Sequence, residues 1–296
     1  MGLEIPKDEK DPHWREYVSW KMEMFRDIRE QICDTIHQIR PEVVVSVNWA
    51  YTLRRIEVVP EGIGALVADI FPDDQVFNGS YLSKYWATLN KPFDIMNTAF
   101  LQWWGDWGCK PVTALKQEVA TVLANGGKTW IGYQMDHTFD VQPAVMGELG
   151  KVFSFVKERE YLFHNAEPIP YIGIFVSTKS NEVQASFRND ETALRGIHRI
   201  LNESSIPHHF VHEKRLKEDI DKYSAIIIPD QRYIDSELTV CLREYVREGG
   251  VVVATALSGT LNEDFTKRSN FVLQDLVGIS LEGKLEVSHA AYPKHS

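Results

Sequence analysis

Val43-Val44-Val45-Ser46-Val47-Asn48 is a short β-branched run of the kind that lies buried on both faces inside a parallel sheet, and the pattern around it decides the fold. Upstream, apolar residues at Trp14, Tyr17, Val18, Met22, Phe25, Ile28, Ile32, Ile36 and Ile39 recur about every 3.6 positions. That spacing predicts one long amphipathic helix over 14–40, stopped by Pro41. Downstream, Gly64 to Ile70 reads as a second strand that ends in Asp69 and runs into a Pro72-Asp73-Asp74 turn. Residues 80–89 read as helical, and Phe93 to Phe100 as a third strand. Pro111 opens a helix over 112–125, which closes on Asn125-Gly126-Gly127. Thr129 to Tyr133, extending to 134, reads as a fourth strand, followed by a long helix from about 143 to 163.

Strand followed by helix, repeated four times and preceded by a helix, is the pattern of the C-terminal half of a (β/α)8 TIM barrel. If the strands 43–48, 64–70, 93–100 and 129–134 are the fifth to the eighth, the helix over 14–40 follows strand four. Strands one to four are then outside this sequence. Ala166-Glu167-Pro168-Ile169-Pro170 reads as a linker, and the composition changes across it, since all eight tryptophans fall between Trp14 and Trp130. Two domains are therefore expected, 1–165 and 166–296. The second reads strand 171–177, helix 190–203, strand 208–212, strand 224–229, helix 235–248 and strand 250–255, with Gly249-Gly250 turning the chain into the last. This is a flavodoxin-like, doubly wound parallel sheet. Residues 279–296 show no clear ending.

A chain of 296 residues accommodates two such domains, and its 44% hydrophobic and 25% charged content is that of a folded globular protein. A formal net charge of -10 with no concentrated basic stripe argues against nucleic acid as a partner. Cys33, Cys109 and Cys241 form no CxxC pair, which favours neither disulfides nor zinc and suits a reducing, cytoplasmic location. No apolar leader follows Met1, and no run approaches the length needed to span a bilayer, so no membrane partner is expected. No G-x-G-x-x-G or G-x-x-x-x-G-K-[ST] occurs, and no cofactor is expected.

Four stretches carry a family resemblance: Lys91-Pro92-Phe93-Asp94-Ile95-Met96; Lys116-Gln117-Glu118-Val119-Ala120 running to Gly126-Gly127; Phe155-Val156-Lys157-Glu158-Arg159-Glu160; and Tyr223 through Gly250. Over roughly residues 10–265 the chain resembles bacterial glycoside hydrolases of the alpha-L-fucosidase-like type. Their barrel is followed by a domain similar to the trimerisation domain of family 42 beta-galactosidases. The resemblance implies retaining hydrolysis by two carboxyl groups, a nucleophile and an acid/base, about 5–5.5 Å apart. In related fucosidase-type barrels the nucleophile is an Asp at the end of strand four, so that role carries over to no residue of this chain.

Barrel active sites gather at the carboxyl ends of the strands, where the loops converge. Asp69, with Asp73 and Asp74 in the following turn, is the candidate source of the acid/base, since crowding raises a carboxyl pKa towards the range a general acid needs. The plainer reading is a solvated turn capped by Asp69. Asn48 and Trp49 end the first strand, where an amide can hold a sugar hydroxyl or orient a carboxylate. Gln102-Trp103-Trp104-Gly105-Asp106-Trp107 is the strongest local sign of a carbohydrate site, because indole faces stack on the C–H faces of pyranose rings. Trp103 and Trp104 are the candidates, against packing beneath the loop or at a subunit contact. Asp136 and His137 are a further substrate-binding pair. Glu118, inside a predicted helix, reads as structural. His208 and His209, adjacent in a strand, face opposite ways and do not share a metal.

The second domain offers no nucleophile elbow: Cys241 is inside a helix and Ser258 lacks the G-x-S-x-G frame. The leading expectation is therefore a glycoside hydrolase part whose partners are a carbohydrate substrate and either further copies of itself or the missing half of its barrel. A non-catalytic carbohydrate-binding or assembly module is the alternative, and a ligand-sensing flavodoxin-like domain is a third.

Overall fold

The computed structural model describes residues 4–70, 72–164 and 166–282. The first unit runs α1 (Trp14–Ile39), β1 (Ser46–Asn48), β2 (Ala65–Asp69), a 3-10 turn (Pro72–Asp74), α2 (Gln75–Trp86), β3 (Phe93–Thr98), α3 (Val112–Ala124), β4 (Lys128–Gly132), α4 (Pro143–Lys157) and α5 (Glu160–Phe163). Its four strands form one sheet in the order β1-β2-β3-β4, every pair parallel.

The second unit runs β5 (Ile172–Val176), α6 (Ser180–Gln184), α7 (Thr192–Glu203), β6 (His208–His212), α8 (Glu213–Asp219), a 3-10 turn (Ile220–Lys222), β7 (Ala225–Pro229), α9 (Ser236–Arg247), β8 (Val251–Thr255) and α10 (Gln274–Val277). Its sheet is also all parallel, in the order β6-β5-β7-β8. The two sheets differ in a way sequence order alone does not show. In the first, each crossover steps to the next strand in one direction, whereas in the second the direction reverses after β6.

Several elements depart from expectation for identifiable reasons. The run at 43–48 yields only a three-residue edge strand, and Val43 and Val44 stay exposed, Val44 at 67%. The helix expected over 80–89 begins at Gln75, because the Asp74 carboxylate accepts the Phe77 amide proton at 3.1 Å and caps it. Its amphipathic period is blurred because it is buried nearly all round, polar Gln75, Asn78, Ser80 and Ser83 included. The helix expected over 143–163 breaks at Arg159, whose backbone leaves helical geometry (φ -117°, ψ 3°). Gly126 takes φ +84° in the turn out of α3, and a Cβ at Gly127 would meet the Phe93 ring at 2.3 Å, so the glycine pair is required by backbone and packing alike. Of the stretch 279–296, which shows no clear ending in sequence, residues 283–296 lie outside the described residues.

One face of the first sheet, with Leu66, Ala68, Phe93 and Ile95, packs against α2 and α3. The other carries Asn48, Val67, Asp69, Met96 and Trp130 in register, and its outer strands expose Ser46, Asn48, Lys128 and Trp130. Among the described residues the second unit does not cover that face. It docks on the far side of α2, so that one apolar core holds Trp86, Tyr85, Leu82 and Tyr81 together with Ile172, Ile174, Leu194 and Phe210.

Polar groups lock this junction. The Thr88 hydroxyl donates to the Phe210 carbonyl at 3.0 Å and the Arg215 Nε to the Thr88 carbonyl at 2.9 Å. Beside them, His198, Asn202 and His208 form an ordered chain. Asn202 Nδ2 donates to His198 Nε2 (2.9 Å), which leaves His198 Nδ1 to donate to His208 Nε2 (2.8 Å) and His208 Nδ1 to donate to the Ile206 carbonyl (2.8 Å). Both imidazoles are neutral in that arrangement, and burial lowers their pKa values to about 2 and about 4.

Candidate functional site

Because all four strands of the first sheet are parallel, their carboxyl ends lie along one edge. Asn48, Trp49, Asp69 and the loops after Thr98 and Gly132 therefore share a rim. Trp49 leaves β1 with φ +60°, a left-handed conformation uncommon for a large side chain. Its indole N–H donates to Asp69 Oδ1 at 2.6 Å, and Asn48 Nδ2 donates to the same oxygen at 3.2 Å. Asp69 is thus held by Asn48 of β1 and by Trp49, the residue that follows that strand.

The three carboxylates expected to crowd together are separated by role. Asp74 caps α2, and Asp73 accepts from Asn78 Nδ2 at 3.4 Å. Asp69 alone of the three lines the cleft beside Trp49, with Thr52, Arg54, Asn78, Tyr81, Glu191 and Arg195 among its walls.

Glu191 and Arg195 come from α7 and the residue before it, more than 120 positions from Asp69, and no local signal marks them. Arg54 Nε donates to Glu191 Oε2 at 2.8 Å, and Arg195 Nη2 donates to Asn78 Oδ1 at 3.1 Å while lying 4.6 Å from the centre of the Phe77 ring. The cleft is small, about 50 Å³, room for one or two waters rather than a sugar ring. On the other side of Trp49, a pocket of about 370 Å³ is lined by Trp49, Thr52, Arg54, Arg55, Phe187 and Arg188, a volume that admits a monosaccharide.

The tryptophan loop stands proud of the rim. A bridge between Phe100 and Cys109 closes its base, and Asp106 braces it by accepting from the amides of Gln102 (3.1 Å) and Gly108 (2.8 Å). Trp103, Trp104 and Trp107 are exposed by 57, 58 and 63%. They do not form a satellite core beneath the loop, although the Trp104 ring lies 4.7 Å from that of Phe100. The loop leans on its neighbour, with the Gly105 amide donating to Gln134 Oε1 at 2.6 Å and the Trp107 indole to the Met135 carbonyl at 3.3 Å. In that neighbour Asp136 accepts from the Thr138 hydroxyl (2.5 Å), the Thr138 amide (2.9 Å) and Gln142 Nε2 (3.2 Å). The Thr138 hydrogen bonds hold its carboxyl below its usual pKa. His137 is exposed beside it.

Behind the rim lies a buried polar network. Lys110 Nζ, on a side chain only 6% exposed, donates to Glu118 Oε1 at 3.0 Å and Gln75 Oε1 at 2.8 Å. Gln75 in turn donates to the Ile70 carbonyl and to Thr98 Oγ1, both at 3.0 Å. The network ties the carboxyl ends of β2 and β3 to α3. Glu118 is buried in α3, and burial pushes its carboxyl pKa up against the opposing pull of Lys110.

Three comparisons with known proteins bear on the fold. The family model described as the beta-galactosidase trimerisation domain matches residues 175–288. A comparison with curated proteins finds no match. Among solved structures the chain is similar to alpha-L-fucosidase isoenzyme 2 from Paenibacillus thiaminolyticus, at 20% identity and TM-score 0.66, over 88% of this chain and 37% of that one. It is also similar to a beta-galactosidase from Bacillus circulans sp. alkalophilus (14%, TM-score 0.72, 88% and 43%). A third is the beta-galactosidase of the haloarchaeon Halorubrum lacusprofundi (13%, TM-score 0.75, 94% and 48%). At these identities the likeness is one of fold, and the chain spans less than half the length of these structures.

Proposed function

We propose that residues 1–165 are the C-terminal half of a (β/α)8 barrel, residues 166–296 a flavodoxin-like assembly domain, and that together they belong to a retaining glycoside hydrolase of fucosidase or galactosidase type. The observation that carries this reading is the rim. Four parallel strands in sequential order bring Asp69, its two donors Asn48 and Trp49, and the exposed Trp103 and Trp104 to one edge. The open sheet face is the one a closed barrel would turn inward. The strand order of the second sheet, reversing once, supports the doubly wound reading.

In this reading Asp69 supplies a carboxyl group, and Asp73 and Asp74 support the turn behind it. Trp103 and Trp104 stack on the sugar, Asn48 and Trp49 orient Asp69, and Asp136 with His137 borders the substrate. The second carboxylate of a retaining pair comes from the half of the barrel not in this chain. The match at 175–288 supports a homo-oligomer built through the second unit.

The test is a panel of p-nitrophenyl glycosides offered to this chain and to a form extended at its N-terminus. Turnover is expected only in the extended form and is lost there when Asp69→Asn removes the charge. Turnover by this chain alone overturns the division of the catalytic pair. Sugar binding without turnover in the extended form instead favours a carbohydrate-binding module.

A further inference from the structure

The sugar-sized space beside Trp49 has an unusual wall. Of its six lining residues three are arginines, Arg54, Arg55 and Arg188, and none is acidic, in a chain whose formal net charge is -10. Arg54 already spends its Nε on Glu191. Arg55 is different: among the described residues it makes no ion pair, and its buried Nε has no hydrogen-bond partner. Its guanidinium lies 5.1 Å from the centre of the Phe25 ring. Glu57, whose charge Arg55 feels, is already held by Arg26 (3.1 Å) and Arg29 (2.7 Å). Arg188 is exposed at the mouth and likewise makes no ion pair among the described residues.

Three guanidinium groups around one cavity repel one another. An oxyanion seated among them relieves that repulsion, and two of its oxygens match the fork of a guanidinium. Trp49 and Phe187 supply the flat apolar walls that a sugar ring packs against. Trp49 is shared by this pocket and the cleft that Asp69 lines, and its 2.6 Å hydrogen bond joins it to the proposed catalytic carboxylate.

We infer that the Arg54–Arg55–Arg188 pocket receives a sulfate or carboxylate substituent of the sugar, so that the chain selects anionic rather than neutral glycosides. This rests on the glycoside reading above for the word sugar, but not for the oxyanion itself. Galactose, galactose 6-sulfate and galacturonate are titrated into the full chain by calorimetry, alongside inorganic sulfate. The same titrations are run on Arg188→Ala and Arg55→Gln, with thermal melts to confirm folding. Arg188 is exposed, so its variant keeps the test alive if Arg55→Gln fails to fold.

At least one anionic sugar is expected to bind about tenfold or more tighter than galactose. That preference falls to the neutral level in the variants while galactose binding stays unchanged. Which of the two anionic sugars gains more distinguishes sulfate from carboxylate. Equal binding of neutral and anionic sugars, or a preference that survives both substitutions, overturns the inference. If no sugar binds at all, sulfate decides the pocket, and the glycoside reading is decided by its own test on the extended form. Arginine-dependent sulfate binding then upholds the oxyanion site, and its absence overturns it.

Discussion

The Trp49 indole N–H meets Asp69 Oδ1 at 2.6 Å, and Trp49 reaches it only by leaving β1 in a left-handed backbone conformation. A strained residue whose side chain orients a carboxylate is an arrangement found where a group must be held ready. Trp49→Phe keeps the aromatic face and deletes the donor. Sugar affinity is expected to fall about tenfold, the effect of one hydrogen bond to a charged group, with Tm moving by less than about 3 °C. Calorimetry beside a thermal melt measures both, and unchanged affinity would remove the orienting role.

The Lys110–Glu118 pair is buried on both sides, so breaking it from one side strands a charge. Lys110→Met alone is expected to cost about 3–5 kcal/mol. Lys110→Met with Glu118→Leu, which removes both charges, recovers most of that loss. A double-mutant cycle by urea unfolding gives the coupling, and additive losses would show that the two groups act independently.

Acid should unfold this protein early. His198 titrates at about 2 in the fold, and His208, His209 and His212 at about 4, all lowered chiefly by burial from 6.5. The unfolded chain therefore takes up protons that the fold refuses. Stability is fully present above pH 6.5 and drains as pH falls from 6.5 towards 4, by up to about 1.4 kcal/mol per pH unit for each histidine. Glu118 and Glu213, whose carboxyl pKa values are raised by burial, work the other way, but they are two against four. Urea midpoints between pH 7 and 5 check this, and a flat profile would contradict it.

Tyr81 belongs to the core shared by both sheets and packs edge-on against Phe210 at 5.0 Å. Heating should therefore give one cooperative transition. Tyr81→Ala should lower its midpoint as a whole, by roughly 3–5 kcal/mol of stability, rather than release the second unit first. Two separated calorimetric peaks in the unaltered chain would mean that the units unfold independently.

If the second unit assembles copies of the chain, light scattering at micromolar concentration should return a mass that is a multiple of 34.0 kDa. A monomer across that range would count against the proposed homo-oligomer.

The eight strands and the long helices were legible in local pattern, because burial imposes a period of about two or 3.6 on the side chains that line a core. Legibility failed where that rule fails. α2 is buried on nearly every side, so it has no polar face to mark its start. Val43 and Val44 sit at a sheet edge, so their β-branched run promises more strand than forms. At the rim, Asn48, Trp49, Asp69 and the tryptophans could be named because each follows a strand. Glu191 and Arg195 could not, since they belong to a helix of the other unit.

Sequence alone determined which segments become parallel strands and which of their ends carry acids and indoles, since both follow from neighbours a few residues apart. Tertiary structure decided that the second unit lies against α2 and, among the described residues, leaves one face of the first sheet open. It also decided that Asp74 caps while Asp69 faces the cleft, and that Arg54, Arg55 and Arg188 surround one cavity. Those outcomes depend on groups up to about 140 residues apart meeting by shape and charge. Periodicity records which side of an element is apolar, but not what it will be packed against.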